Sequence, residues 1–233
     1  MRLLSLLAAA LAAAPTLAAQ VGHAPADSPY RDYRGGTTVS PIATYMAGDG
    51  GNLQLGPHDG WLFGARADLR TSKFLQLGVE AQFGTAQRQV VDPFVPVEDR
   101  FHGFETVDVW SAFANVQTNF TGGKTWRGLA PYGGLSIGIM TAEGVERDTS
   151  GYEFGTKAVF APHVGLRLFL GSNLHLRGQA KIAFWRISYP DSWTLFQPPP
   201  PGSQVPVPPV LTVDGLREWV LTPMFSVGFG LGF

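Results

Sequence analysis

From residue 174 to 184 the chain reads LHLRGQAKIAF, and apolar side chains occupy every second position. Leu174, Leu176, Ala180, Ile182 and Phe184 fall on one face, while His175, Arg177, Gln179 and Lys181 fall on the other. A period of two over this length predicts a strand with one apolar and one polar face. Its length suits a tilted bilayer-crossing strand better than the shorter strand of most globular sheets. The same pattern recurs at 37–45, 61–69, 75–85, 110–120, 131–141, 158–170 and 219–233. The first of these alternates most weakly, and the last carries Trp219, Leu221, Phe225, Val227, Phe229, Leu231 and Phe233 on one side. The pattern therefore predicts eight strands.

Two architectures use such strands. A soluble sandwich or closed barrel turns its apolar face inward, and a membrane barrel turns it toward lipid. The polar faces here hold Gly, Ser, Gln and Asn more than Lys and Glu, which suits a crowded lumen better than open water. Trp61, Trp110, Phe120, Trp219 and Phe233 gather near strand ends, where a membrane barrel places its aromatic girdles. Connections at 46–60, 86–104, 142–156 and 188–216 are long, those at 70–74 and 171–173 are short, and 121–130 is intermediate. With the chain starting on the periplasmic side, every long loop lands outside the cell. The expected fold is all-β, an eight-stranded antiparallel up-and-down transmembrane β-barrel.

The N-terminus sharpens the destination. Arg2 precedes an apolar run from Leu3 to Ala14, followed by Pro15 and small residues, which is the layout of a secretory signal. Thr16 and Ala18 suit the −3 and −1 positions, so cleavage is expected after Ala18, with Ala19 as the alternative. The expected division is 1–18 signal peptide, 19–36 periplasmic N-terminal segment without periodicity, and 37–233 barrel in the bacterial outer membrane. Composition agrees: 15% of the 233 residues are charged, against roughly 25% in ordinary soluble domains. Cysteine is absent, which excludes disulfides and a lipid-modified N-terminal cysteine. A formal charge of −1 gives no basic stripe for nucleic acid.

The last eight residues, SVGFGLGF, place Ser226, Gly228, Leu231 and Phe233 at the four defined positions of a polar–x–Gly–x–x–apolar–x–apolar pattern. This resembles the C-terminal assembly signal of bacterial outer-membrane barrels, and the resemblance implies that the barrel-assembly machinery reads this stretch. APYGGLSIGIM at 130–140 resembles the fifth strand of eight-stranded barrels of the outer membrane protein A type. PHVGLRLFLGSNLHLRGQAKIAF at 162–184 resembles their sixth-to-seventh hairpin. The similarity runs over 37–233 and is one of pattern. The chain ends on the last strand, so the peptidoglycan-binding domain of outer membrane protein A itself, and cell-wall anchoring with it, are not carried over.

Candidate chemistry is sparse. An eight-stranded lumen is just wide enough to be filled by side chains. Its expected polar network comprises Arg66, Asp68, Glu80, Arg167, Arg177, Lys181 and Glu218, and opposite charges in so narrow a space should pair. Such a plug favours a structural or surface-interaction role; the alternative is a narrow channel for ions or small solutes. His163 and His175 fall on inward faces, while His58 and His102 fall in loops with no serine motif around them. No catalytic, cofactor or metal site is expected, since His-x-x-x-His spacing and phosphate-cradling loops are absent. In the longest loop, Pro198–Pro201, Pro206, Pro208 and Pro209 favour an extended conformation. Just before them, Trp193, Leu195 and Phe196 form a candidate contact surface for an extracellular partner. The other expected partner is outer-membrane lipid.

Overall fold

The computed structural model describes residues 28–32, 36–199 and 206–233. The expected signal peptide at 1–18 lies outside them. Eight long strands make the wall: β2 (Thr37–Met46), β3 (His58–Arg70), β4 (Leu75–Val91), β5 (Phe101–Asn119), β7 (Leu129–Ala142), β8 (Gly155–Phe169), β9 (Leu174–Ser188) and β10 (Arg217–Gly232). Each pairs antiparallel with its neighbour in chain order, and β10 returns to β2. The sheet is closed. Closure leaves no edge on the eight-stranded wall, which is the condition for β structure to cross lipid.

Two short strands were not expected from the periodicity. β1 (Tyr30–Asp32) pairs with β6 (Lys124–Trp126) at the end of the barrel that carries Gly36 and Phe233. Residues 30–32, within the 19–36 segment that shows no periodicity, thus lie in a ladder. Three paired residues are too few for a hydrophobic period to register. β5 also begins at Phe101 and β3 at His58, so His102 and His58 are strand residues, not loop residues. Their strands run past the apolar alternation on which the sequence boundaries were drawn.

That overrun has a physical explanation along β4. Its outward residues are Leu75, Leu77, Val79, Ala81 and Phe83, then Thr85 and Gln87; its inward ones are Gln76, Gly78, Glu80, Gln82 and Gly84, then Ala86, Val90 and, between them, Arg88, which is ion-paired to Asp148. The alternation keeps its period but exchanges its faces just beyond Phe83. β5 does the same at Trp110, with Thr106 and Asp108 outside and Val107 and Val109 inside. β9 does so at Phe184, with Arg186 and Ser188 outside and Trp185 and Ile187 inside. Below this level the outer environment is apolar; above it the barrel stands in water and buries its apolar side chains inward. The steps from Leu75 to Phe83 span about 27 Å along the strand, about 20 Å across a barrel of ordinary tilt.

Aromatic side chains mark the level of the exchange. Tyr45 and Trp61 pack at 5.3 Å, Phe83 and Trp110 at 4.4 Å, and Phe160 and Phe184 at 6.4 Å between ring centroids. Phe74, Phe120, Trp126 and Phe233 are exposed at the opposite end. Exposed apolar residues such as Phe63, Val79, Ile137, Val164 and Val227 fill the band between. A continuous apolar belt on a closed barrel is stable only where lipid replaces water.

Glycines on the inner face let neighbouring strands coil closely. A Cβ on Gly64 would stand 1.9 Å from the Ala81 carbonyl oxygen, whereas one on Gly178, on the lipid face, would meet nothing within 4 Å. Gly64→Val is therefore expected to abolish the heat-dependent shift in gel mobility that reports a folded barrel, because strand separation costs more than the usual 1–3 kcal/mol of overpacking. Gly178→Val should keep that shift.

Candidate functional site

The lumen is filled at two levels of different chemistry. In the membrane-embedded half, register does most of the placing. Arg66 on β3 and Glu80 on β4 are direct cross-strand partners, and Asp68 lies two residues further along β3 on the same inward face. Asp68 faces Gly78, where a Cβ would come within 2.3 Å of its Oδ1. Tyr132 on β7 likewise faces Gly165 on β8, where a Cβ would overlap its ring at 2.3 Å. Glycine opposite a large polar side chain is what lets that side chain reach across the lumen.

The resulting network is continuous. Arg66 Nε donates to Asp68 Oδ1 at 2.9 Å, its Nη1 to Glu80 Oε2 at 3.2 Å, and its Nη2 to Gln117 Oε1 at 2.7 Å. Arg177 Nη1 donates to Asp68 Oδ2 at 2.7 Å and its Nε to the Tyr132 hydroxyl at 2.8 Å. Lys181 Nζ donates to Glu80 Oε1 at 2.8 Å and lies 4.0 Å from the Phe113 ring centroid. Arg167 Nη2 donates to Asn119 Oδ1 at 3.1 Å and to Gln76 Oε1. All six charged groups are buried. Cations outnumber carboxylates, and amide oxygens and the Tyr132 ring meet the surplus: Arg167 and Arg177 lie 4.9 and 5.0 Å from that ring's centroid. Gln76, Gln117, Gln179, Asn119 and Tyr132 belong to the network although charge alone did not single them out; their inward positions in the alternation were the available signal.

Glu218 is elsewhere. It stands at the long-loop end, where its Oε1 accepts from the Asn52 backbone N–H at 3.0 Å and from the Tyr189 hydroxyl. It belongs to the loop closure and not to the lumen network, because β10 is long enough to carry it above the aromatic level.

That upper half is an apolar core. Met46, Leu62, Val107, Val109, Phe113, Met140, Phe154, Trp185, Ile187, Val220 and Met224 pack together across the barrel. The loops complete it. Trp193, with 0% of its surface exposed, donates through Nε1 to the Ser150 carbonyl at 3.0 Å. Its own carbonyl accepts from Val210 N at 3.0 Å and Leu211 N at 3.2 Å, so the two limbs of the 189–216 loop meet there. Trp193 is thus a core residue and not part of a contact surface, while Leu195 and Phe196 are exposed at 61% and 70%. Arg88 and Asp148 form a buried ion pair beneath, with the Arg88 guanidinium 4.9 Å from the Tyr152 ring centroid.

The four histidines of the described residues divide simply. His163 Nδ1 lies 3.0 Å from Ser136 Oγ, His175 packs against Phe169 at 5.0 Å, and His58 Nδ1 lies 2.9 Å from the Gly56 carbonyl. His102 is exposed. At the seam, Ser226 Oγ and Thr44 Oγ1 are 2.8 Å apart, and Gly228 and Leu231 face Ile42 and Val39 on β2. Phe233 N donates to the Thr37 carbonyl at 2.8 Å, and its side chain is exposed.

Two measurements probe these levels. Asp68→Asn leaves Arg66 and Arg177 buried without their shared carboxylate, a loss of about 3–5 kcal/mol, seen as a lower urea midpoint for the folded barrel in lipid vesicles. Burial raises the hydroxyl pKa of Tyr152, and burial followed by the Glu218 carboxylate raises that of Tyr189. The stability this gives is complete well below pH 10, the value at which free tyrosine is about half ionised, and is lost as pH rises through the higher folded values. Ultraviolet titration should show two tyrosines that resist ionisation, and they should disappear from the difference spectra of Tyr152→Phe and Tyr189→Phe.

No protein-family model and no curated protein matches the sequence. Solved structures do match in fold. The crystal structure of Neisserial surface protein A superposes with a TM-score of 0.50 at 14% identity, covering 85% of this chain and 97% of that one. The outer membrane protein OprG from Pseudomonas aeruginosa gives 0.51 at 14% identity, covering 89% and 99%. The chain therefore has the closed eight-stranded fold of small outer-membrane barrels.

Proposed function

We propose that the protein is an integral outer-membrane barrel, held closed, whose role is structural or interactive rather than conductive. The observation that supports it is the filling of the lumen at both levels: an ion-pair network spans the lower half, and Trp185, Phe113 and Met224 pack above it. A permeating ion would have to displace paired guanidinium and carboxylate groups and then pass a packed, mainly apolar layer whose own charges, Arg88 and Asp148, are already paired to each other. Each step carries a desolvation cost of several kcal/mol. A channel reading needs both layers to move.

The remaining features fit this role. The apolar belt meets outer-membrane lipid, export follows the leader at 1–18, and the C-terminal strand with Ser226, Gly228, Leu231 and Phe233 is the stretch offered to the barrel-assembly machinery. The long loops face outward, so the 188–216 loop is the element placed to meet an extracellular partner. A non-catalytic role is in keeping with the placement of the inward histidines, His163 beside Ser136 and His175 against Phe169.

Purified, refolded protein in planar bilayers is expected to give no stable single-channel steps. Large and reproducible steps from the unmodified protein would overturn the closed-barrel reading in favour of a narrow channel.

A further inference from the structure

Above the membrane, two loops that are far apart in sequence are tied into one surface. Arg100, at the end of the 92–100 loop, is buried, and its guanidinium donates to the carbonyls of Pro208 and Pro209 in the 189–216 loop. Val207 beside them pairs with Gln197 through N–H to carbonyl bonds of 3.0 and 3.1 Å, and Gln197 follows Leu195 and Phe196. Val97 and Phe101 flank the Arg100 end of this link, exposed at 51% and 57%. Leu195 and Phe196 flank the other end. Four large apolar side chains therefore stand in water on a framework that holds them in place. Exposed apolar residues gathered in this way mark contact sites more often than scattered ones do.

Charge narrows the partner. The two loops carry Asp92, Glu98, Asp99, Asp191 and Asp214 against one base, Arg100, whose guanidinium is taken up by carbonyl oxygens. Glu98, Asp99, Asp191 and Asp214 are exposed. A second copy meeting this surface face to face would set acid against acid. Phosphate-bearing lipid and polyanions are repelled for the same reason. The complement is a polypeptide that presents lysine or arginine beside large apolar side chains.

We propose that the linked pair of loops carrying exposed Val97, Phe101, Leu195 and Phe196, together with their exposed carboxylates, is a docking site for a cationic amphipathic polypeptide segment. The proposal rests on the closed-barrel reading, since it is the packed cap that fixes both loops. The carboxylates steer the incoming chain, and the apolar quartet takes its hydrophobic side chains. Because Arg100 and Trp193 already order the loops, little conformational entropy is lost on binding.

The test uses the full-length barrel in nanodiscs of zwitterionic lipid, with empty discs as reference, and a fluorescent peptide of alternating lysine and leucine as probe. Anisotropy is expected to show tighter binding to loaded than to empty discs, weakening as salt is raised. Val97→Ser with Phe196→Ser should weaken binding about tenfold, and Glu98→Lys with Asp99→Lys by a similar factor, both with unchanged heat-dependent gel mobility. Equal binding to loaded and empty discs overturns the proposal. So does equal binding of a peptide with glutamate in place of lysine, a readout that needs no variant to fold. Conductance recorded on the same protein separates the two readings: a silent barrel that ignores the peptide sinks the docking surface alone, and a conducting barrel sinks the closed state.

Discussion

The closure of β10 onto β2 is the constraint from which the rest follows. A strand ladder in lipid must pair its backbone N–H and carbonyl groups within the protein, and only a closed circuit provides partners for the first and last strands. Here the circuit closes through the register of Phe225 with Tyr45 and Leu231 with Val39, and the last residue is tied back to Thr37. Eight strands closed in this way leave a lumen the width of side chains and no wider. Every inward residue below the aromatic level therefore has to be accommodated by others.

The barrel meets that demand with charge and space used together. Arginine carries most of the cationic side, and its planar fork lets one residue bond two or three acceptors at fixed angles; Arg66 reaches Asp68, Glu80 and Gln117 at once. Buried ion pairs of this kind contribute little net stability over a well-packed apolar filling, but removal of one member leaves the others exposed to an uncompensated charge. The network thus fixes the arrangement more than it strengthens it. Glycines opposite Asp68 and Tyr132 provide the room, so polar reach and close strand approach come from the same alternation.

Above the aromatic level the molecule follows the opposite rule. Outside is water, so inward positions become Val, Ile, Trp and Met, and the loops bring Trp193, Tyr152 and Phe154 to finish the core. One polypeptide wall contains a membrane protein and, continuous with it, the top of a water-soluble one. The boundary is set by solvent, not by any change in strand geometry. Its consequence is that the long loops are packed elements. Residues 207–211 and the segment around Arg100 are held by Trp193, Gln197 and the Arg100 guanidinium.

The period-two pattern by itself determined the strands, their number in the wall, their faces in the lipid-embedded half, and the inward placement of Arg66, Asp68, Glu80, Arg167, Arg177 and Lys181. Those features depend on local alternation, which a strand in lipid must obey residue by residue. Strand ends, the short β1–β6 ladder, the place of Glu218 and the burial of Trp193 were decided only by tertiary structure. Each depends on which solvent or which distant segment lies across from a residue: Trp193 looks like an exposed aromatic in a loop until Ser150, Val210 and Leu211 are brought around it. Sequence periodicity states that a face differs from its opposite. Beyond the aromatic level, where the outer solvent changes from lipid to water, only the assembled barrel states which face is buried.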